Sequence, residues 1–315
     1  MLEIQGNQLP ARAVLHADGL YLALRNIDPG QLRDAFMQET IARLPAAETF
    51  VHIARDDLGK AAPGTAPAGL IFHVARCGST LISQLLKTHS NLVVYAEPLP
   101  FNEILLPPHR WPRHELVAAL RSLGDAFGRH AGGPYVLKFS SWNTLFCDLL
   151  AEAFPDSPWV LGLRDPVEVG VSLLQQPAGW MRGSDDASRQ LVRYVDPDTA
   201  ARSPEEFVAR LYGEFCSAAC RLDAGRGRLV RYEALPAAVW DTVAPHFSLT
   251  IDDVLRERMT QAARINAKAP IGTSAAYKSD VASKQASAST ALRDAIDALA
   301  RPSLERLLRL HAPRG

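Results

Sequence analysis

A nearly continuous apolar stretch, followed by a tight turn and a helical pattern, constrains the fold of this chain more than any other feature. Residues Gly69–Val74 form the apolar stretch, which is typical of a strand buried on both faces in a parallel sheet. Ser79–Lys87 then shows the apolar spacing of a helix. Further strand patterns at Tyr135–Phe139 and Trp159–Leu163 alternate with helical ones. We therefore predict an α/β fold in three layers, with a central parallel sheet flanked by helices.

The first part of the chain has a different pattern and is predicted to be a small N-terminal extension. Arg12–His16 and Tyr21–Leu24 flank the turn dipeptide Asp18-Gly19, which predicts a hairpin. Gln31–Leu44 has helical periodicity, and a connector rich in Ala, Pro and Gly follows. The sequence thus predicts an extension over residues 1–66, made of a hairpin and a helix, and a main domain over residues 67–315.

Composition and charge exclude several classes of protein. The 315 residues include 34 Lys and Arg and 34 Asp and Glu, and 47% of them are hydrophobic. This balance argues against a disordered chain and against a globally basic nucleic-acid binder. No apolar run reaches the length of about 20 residues that spans a membrane, and the first residues lack a secretory signal pattern. We expect a cytoplasmic protein with neither a nucleic-acid nor a membrane partner.

The cysteine and histidine spacing gives no indication of a metal site. The four cysteines are Cys77, Cys147, Cys216 and Cys220, and none forms a CxxC pair or joins a histidine cluster of zinc-binding spacing. No group of carboxylates suggests a magnesium site. We therefore predict that no metal is required.

The turn between the first buried strand and its helix is the first candidate binding site. It reads Ala75-Arg76-Cys77-Gly78-Ser79-Thr80. Amide groups at the start of a helix attract anions, and an arginine contacts phosphate oxygens in bidentate fashion. The turn lacks the Lys after Gly78 that a Walker motif requires, and it also lacks the GxGxxG pattern. A phosphate-binding loop and an ordinary capped turn both remain open from this segment alone.

A second candidate lies at the end of a later strand. Trp159–Leu163 is followed by Arg164, and Ser172 lies eight residues further on in a predicted helix. Ligands of α/β sheets bind at the carboxyl ends of the strands, so both side chains can reach one anion there. The alternative is an ion pair between Arg164 and Glu168, with Ser172 in solvent.

Together, the two motifs resemble those of the sulfotransferases that use 3′-phosphoadenosine-5′-phosphosulfate (PAPS). In that family a P-loop-like turn holds the 5′-phosphosulfate, and an Arg–Ser pair holds the 3′-phosphate. Ala75 and Cys77 depart from the family's usual Pro and Ser. Tyr232, in Arg231–Leu235, resembles the family's tyrosine near the adenine, and Lys278 and Lys284 lie where a basic loop covers the 3′-phosphate. The resemblance covers roughly residues 68–310 and implies that the nucleotide is bound by Arg76, Cys77, Gly78, Ser79, Thr80, Arg164, Ser172, Tyr232, Lys278 and Lys284.

The resemblance also suggests catalytic residues. Glu97 follows the strand pattern Leu92–Tyr95, where the protein-tyrosine and some bacterial types carry a catalytic glutamate. The cytosolic types instead use a histidine after a later strand, and this chain has Lys138 at the corresponding strand end. We expect Glu97 to act as general base, Lys138 and Arg76 to stabilise the leaving phosphate, and Ser283 to assist. PAPS is then a co-substrate, and 3′,5′-ADP is the product.

Two other functions and several acceptors stay open at this stage. A small-molecule kinase of the P-loop class would need ATP and magnesium, and a non-catalytic nucleotide-binding or scaffold protein would show no turnover. The acceptor is a hydroxyl of a small molecule, a glycan or a peptide, and a homodimer is also open. We expect the irregular stretches Pro98–Trp111 and Pro177–Pro197 to set specificity. Three tryptophans are candidates for an apolar acceptor pocket: Trp111, Trp142 and Trp180.

Overall fold

The computed structural model describes residues 7–45, 47–60, 66–109, 111–198, 202–265, 267 and 280–312. Its centre is a parallel five-stranded sheet in the order β5-β6-β4-β7-β8. The strands of this sheet are β4 (Gly69–His73), β5 (Val93–Ala96), β6 (Tyr135–Lys138), β7 (Trp159–Leu163) and β8 (Gly227–Arg231). The predicted α/β fold with a central parallel sheet is confirmed.

Helices cover both faces of this sheet. In chain order they are α1 (Met37–Arg43), α2 (Ser79–Leu86), α3 (Leu99–Leu105), α4 (Arg113–Ala131), α5 (Cys147–Ala153), α6 (Pro166–Gln175), α7 (Asp186–Val195), α8 (Pro204–Ala219), α9 (Ala244–His246), α10 (Asp253–Ala262), α11 (Val281–Ser287), α12 (Thr290–Leu299) and α13 (Arg301–Leu310). Within the described ranges, no helix is both long enough and apolar enough to cross a membrane.

The alternation of side chains along β4 explains the three layers. Every residue of β4 is buried. Leu70 and Phe72 point into the larger hydrophobic core, which α4, α5, α6 and α8 share. Ile71 points to the opposite face, where it joins a smaller core with Ile82 and Leu85 of α2. Because successive strand residues face opposite sides, an unbroken apolar strand requires helices on both faces of the sheet.

The N-terminal residues form a separate antiparallel sheet that packs on the main domain. Its strands are β1 (Gln8–His16), β2 (Gly19–Asn26) and β3 (Thr49–Ala54), in the order β1-β2-β3. We call the described residues of this part, 7–45 and 47–60, the N-terminal unit. The predicted hairpin is present, and β3 was not predicted. Strand β1 contacts α3 and α4, so the two sheets share one continuous core. The domain boundary near residue 66 stays a prediction.

Several elements differ from the sequence prediction. The predicted helix Gln31–Leu44 is a 3-10 turn at Pro29–Gln31 and then α1, because the intervening Asp34 is buried and bonds to Arg43. The stretches predicted to be irregular, Pro98–Trp111 and Pro177–Pro197, contain α3 and α7. The sequence also predicts a loop rich in Ala, Ser and Lys over Ala267–Ser289, whose described end contains α11, and a last helix over Leu292–Leu310. That helix is divided into α12 and α13, since Pro302 lies at the start of α13 and a proline interrupts the hydrogen bonds of a helix interior.

Candidate active site

A cavity of about 710 Å³ lies at the carboxyl ends of the central strands. Such a volume is ordinary for a small-molecule site. The cavity brings together most of the residues that the sequence predicted, although they lie far apart in the chain: Arg76, Cys77, Gly78, Ser79, Thr80, Glu97, Arg164, Ser172, Tyr232 and Lys284. Lys278 lies outside the described residues.

The turn after β4 has the geometry of an anion-binding loop. Gly78 has a φ of 83°, in the left-handed region, and a Cβ there would lie 2.7 Å from Leu235 Cδ1. The left-handed φ strains any residue with a side chain, so glycine is strongly favoured at this position. Helix α2 begins at Ser79, with Ser79 and Thr80 both buried at the cavity. The first amide groups of this helix have no helical partner, and they lie where an anion would bind.

Two guanidinium groups, those of Arg76 in the loop and of Arg182, line the cavity. Arg76 Nη2 donates to the carbonyl oxygen of Gln176 at 2.5 Å, and Arg182 lines the same cavity. Burial and the nearby charge of Arg182 lower the pKa of Arg76. Among the described residues, neither guanidinium group forms an ion pair with a carboxylate. Because the like charges repel, an anion bound between them would be favoured. Arg182 was not predicted from the sequence.

The side chain of Cys77 packs against β7, next to Gly162. Its side chain is buried, and its sulfur would lie 3.0 Å from a Cβ placed on Gly162. Burial raises the pKa of the thiol to about 11, so it remains protonated at neutral pH and is not a nucleophile. Cys77 therefore contributes packing beneath the loop and no ionised thiol.

Arg164 forms the opposite wall of the cavity. Its Nε donates to Glu168 Oε2 at 2.7 Å, and its Nη2 donates to Asp280 Oδ1 at 2.6 Å. The guanidinium carbon lies 4.0 Å from the centre of the Tyr232 ring. Burial lowers the pKa of Arg164, but the bonds to Asp280 and Glu168 outweigh it and raise the pKa. The ion pair with Glu168 is thus present, and Arg164 and Ser172 nevertheless both line the cavity.

The carboxylate of Asp280 lies between two cationic side chains of the cavity, Arg164 and Lys284. Asp280 accepts from Arg164, and its Oδ2 lies 2.6 Å from Lys284 Nζ. Burial raises the pKa of Asp280, but the hydrogen bonds from Arg164 and Lys284 lower it by more. The pKa of Asp280 is therefore below its ordinary value. The side chain of Lys284 is buried on the inner face of α11. Asp280 adjoins the predicted lysines in the sequence, and no pattern marked it as part of the site.

Glu97 is held in an unusual backbone conformation at the end of β5. Its φ is 55°, and its amide donates to the carbonyl oxygen of Lys138 at 2.6 Å. Lys138 Nζ donates to Glu97 Oε1, and Ser140 Oγ donates to Oε2 at 3.3 Å. Burial raises the pKa of Glu97, but the charge of Lys138 and the hydrogen bonds from Lys138 and Ser140 outweigh it, so the pKa is lowered. The carboxylate is therefore ionised at neutral pH and faces the cavity.

Lys138 lies behind Glu97 and not on the cavity wall. The side chain is fully buried, and its ammonium lies 5.4 Å from the centre of the Phe36 ring. Its charge therefore acts directly on Glu97, and the role predicted for it toward a leaving phosphate stays a prediction. A lysine at a strand end was predicted to face the site, but β6 places its ammonium one layer deeper.

Ser283 is not brought to the cavity. It lies on the exposed side of α11, and its hydroxyl donates to the carbonyl oxygen of Asp280 at 2.9 Å. Adjacent residues of a helix point about 100° apart. Because Lys284 points inward, Ser283 faces solvent, and its predicted catalytic role has no support from this geometry.

A short hydrogen-bond network orients Glu97. Asn102 Nδ2 donates to Ser140 Oγ at 3.1 Å, and that hydroxyl donates to Glu97. His73 Nε2 lies 4.0 Å from Glu97 Oε1. Burial, followed by the charge of Lys138, lowers the pKa of His73 to about 4, so the ring is neutral. Asn102 and Ser140 were missed as site residues, since no local motif marks them.

The three tryptophans divide between two cavities. Trp142 and Trp180 line the main cavity. Trp111 instead lines a second cavity, of about 640 Å³, beside β1 and α3. Trp111 is therefore not brought to the main cavity. Over the part of the chain that the structure describes, no three His, Cys, Asp or Glu residues form a group that could hold a metal ion.

Comparison with known proteins gave matches among solved structures. No family model matches the chain, and no curated protein matches it. Several solved sulfotransferase structures are similar to it. They include the sulfotransferase domain from the curacin biosynthetic pathway (13% identity, TM-score 0.45, 75% of this chain and 98% of that one). The sulfotransferase from Alicyclobacillus acidocaldarius has 16% identity and a TM-score of 0.45, over 78% and 96% of the two chains. The sulfotransferase domain of the Synechococcus PCC 7002 olefin synthase has 14% identity and a TM-score of 0.46, over 77% and 96%.

Proposed function

We propose that this protein is a sulfotransferase, which moves the sulfuryl group of PAPS to an acceptor hydroxyl with Glu97 as general base. One observation carries the proposal. A single cavity combines the turn at the start of α2, a second cationic group at Arg164, an ionised carboxylate and three aromatic side chains. The two anion sites suit a nucleotide with phosphates at both its 5′ and 3′ positions, and the carboxylate suits proton removal from a hydroxyl.

The two phosphate sites differ in their chemistry. At the turn after β4, the amides of α2 and Arg76 would hold the 5′-phosphosulfate. At the other wall, Arg164, Ser172 and Lys284 would hold the 3′-phosphate, and the Tyr232 ring beside Arg164 would stack on the adenine. Asp280 must move off Arg164 and Lys284 when the 3′-phosphate binds there.

The proposed reaction conserves atoms and charge without a metal. When bound, PAPS supplies the sulfuryl group. Glu97 accepts the proton of the acceptor hydroxyl while the acceptor oxygen forms a bond to sulfur. The bond between sulfur and the bridging oxygen breaks, and 3′,5′-ADP leaves with its charge opposed by Arg76 and the helix amides. Lys138 and Ser140 hold the Glu97 carboxylate ionised and oriented during this step.

The proposal is tested by nucleotide binding and by turnover. Thermal unfolding is measured with 3′,5′-ADP and, separately, with ATP plus magnesium. At 100 times its Kd a ligand stabilises the folded state by about 2.7 kcal/mol, so a clear rise in Tm is expected with 3′,5′-ADP. PAPS consumption is then measured across a panel of phenols, alcohols, sugars and tyrosine peptides, with Glu97→Gln as the inactive control.

The outcomes separate the three functions. A Tm shift with 3′,5′-ADP and PAPS consumption that depends on both acceptor and Glu97 would support the sulfotransferase. A shift only with ATP plus magnesium would favour the kinase, and the absence of a shift with either nucleotide would favour a scaffold. The last two outcomes would each overturn the proposal.

A further inference from the structure

The N-terminal unit contributes a side chain to the main cavity, although its sequence lies outside the resemblance. Phe36 lies just before α1 and lines the cavity close to Glu97. Its ring centre lies 5.4 Å from Lys138 Nζ, so it covers the ion pair that holds the carboxylate. Trp142 and Trp180 line the same cavity from two other segments of the chain. We call Phe36, Trp142 and Trp180 the aromatic wall.

The position of Phe36 is fixed by a built connection to the main domain. Asp34 is buried and bonds to Arg43 Nη1 at 2.6 Å. The carbonyl oxygen of the same residue accepts from Lys87 Nζ, at the end of α2. The amide of Phe36 also donates to Glu39 Oε2 at 3.2 Å. The segment before α1 is thereby tied to the helix that follows the phosphate-binding turn.

We propose that the N-terminal unit completes an acceptor subsite, in which the aromatic wall takes a planar apolar hydroxyl compound of the phenol class. This inference rests on the proposed function. Phe36 lies over Lys138, the partner of Glu97, and Trp142 and Trp180 line the same cavity from two other segments of the chain. The cations Arg164 and Lys284 instead meet at Asp280. Aromatic faces favour flat apolar partners through offset or edge-to-face contact. A polyol or an unbranched aliphatic alcohol would leave these faces less well covered.

The chemistry of the base agrees with this class of acceptor. The ion pair with Lys138 lowers the pKa of Glu97, which makes the carboxylate a weak base. A weak base removes a proton most readily from an acidic hydroxyl. A phenolic hydroxyl has a pKa of about 10, and an aliphatic hydroxyl is a much weaker acid.

Binding of 2-naphthol to the protein saturated with 3′,5′-ADP tests the subsite without requiring turnover. Titration calorimetry is carried out on wild type, Phe36→Ala, Phe36→Leu and Phe50→Ala. Phe50 lies in β3 of the same unit, is 74% exposed and does not line the cavity, so Phe50→Ala is the matched control. We expect Phe36→Ala to weaken 2-naphthol binding about tenfold, and Phe36→Leu and Phe50→Ala to weaken it less than threefold.

Each result supports or overturns the subsite. Equal binding of 2-naphthol by wild type and Phe36→Ala would overturn the role of the N-terminal unit. Tighter binding of glucose or 1-hexanol than of 2-naphthol would overturn the acceptor class. The affinity for 3′,5′-ADP should be the same in all four proteins. If no nucleotide bound, the proposed function would fail, and 2-naphthol binding to the free protein would still decide whether the aromatic wall is a ligand site.

Discussion

The ammonium group of Lys138 donates a hydrogen bond to Glu97 Oε1, and this contact determines the charge of the carboxylate at the end of β5. The lysine is fully buried, whereas the glutamate side chain is 27% exposed. A buried cation next to a partly exposed carboxylate keeps the carboxylate ionised while leaving it within reach of a substrate. Glu97 also has a left-handed backbone conformation, which is uncommon for residues other than glycine, and its amide donates to the carbonyl oxygen of Lys138.

Glu97→Gln is expected to abolish most turnover and leave nucleotide binding intact. The amide retains the shape of the side chain but cannot accept the acceptor proton. General-base catalysis contributes about 10²–10⁴-fold in rate, so kcat with PAPS should fall by that factor. The affinity for 3′,5′-ADP, measured by titration calorimetry, should stay within twofold. The control is Glu115→Gln, which removes a carboxylate bonded to Arg55 outside the cavity. Near-normal turnover by Glu97→Gln would show that another group is the base.

The pH dependence of activity should change when Lys138 is replaced. The folded-state pKa of Glu97 is lowered, so its contributions to activity and to stability are present at neutral pH. Both are lost as the pH falls through this lowered value, below the ordinary glutamate pKa of about 4.3. Lys138→Met removes the positive charge and leaves the burial, so the pKa of Glu97 should rise. The acidic limb of kcat/KM against pH should therefore move to higher pH.

Two further variants control that experiment. Lys60→Met changes a lysine that is 68% exposed and should leave the pH profile unchanged. The double variant Lys138→Met with Glu97→Gln removes both members of the ion pair. It should therefore recover much of the stability that Lys138→Met loses, because breaking one side of a buried pair costs about 3–5 kcal/mol. An acidic limb unchanged in Lys138→Met would argue against Glu97 as the titrating group.

Arg164→Lys and Arg164→Ala should weaken the binding of a 3′-phosphate selectively. A charged hydrogen bond contributes about 1.5–3 kcal/mol, which corresponds to roughly 10–150-fold in Kd. The alanine variant should therefore bind 3′,5′-ADP that much more weakly, whereas binding of 5′-AMP should change little. The lysine variant should bind 3′,5′-ADP more weakly than wild type and more tightly than the alanine variant, since it keeps the charge but not the bidentate geometry. Arg256→Ala, at an exposed ion pair with Asp241, is the control. An equal loss for both nucleotides would indicate a general disruption of the fold.

Local order along the chain explains why some of the site was predictable. The turn around Gly78 and the pair of Arg164 and Ser172 each follow a strand of the same parallel sheet, and the carboxyl ends of such strands meet at one edge. Phe36 was not predictable, because its place depends on how a separate sheet packs against α3 and α4. The exposed position of Ser283 was not predictable, because one residue of helical phase decides whether a side chain faces solvent. The depth of the Lys138 ammonium was not predictable either, because a sequence does not show how far behind a cavity wall a side chain ends.

Asp280→Asn should strengthen the binding of a nucleotide that carries a 3′-phosphate. The Asp280 carboxylate lies 2.6 Å from both Arg164 and Lys284, so an incoming phosphate must replace it. The asparagine side chain keeps the size and loses the charge. Because Asp280 is 44% exposed, we discount the ion-pair energy for solvent screening and expect about a fivefold lower Kd for 3′,5′-ADP. The affinity for 5′-AMP should be unchanged, and Asp241→Asn, at the exposed pair with Arg256, should alter neither. Weaker binding of 3′,5′-ADP would instead mean that Asp280 positions Arg164 for the phosphate and does not compete with it.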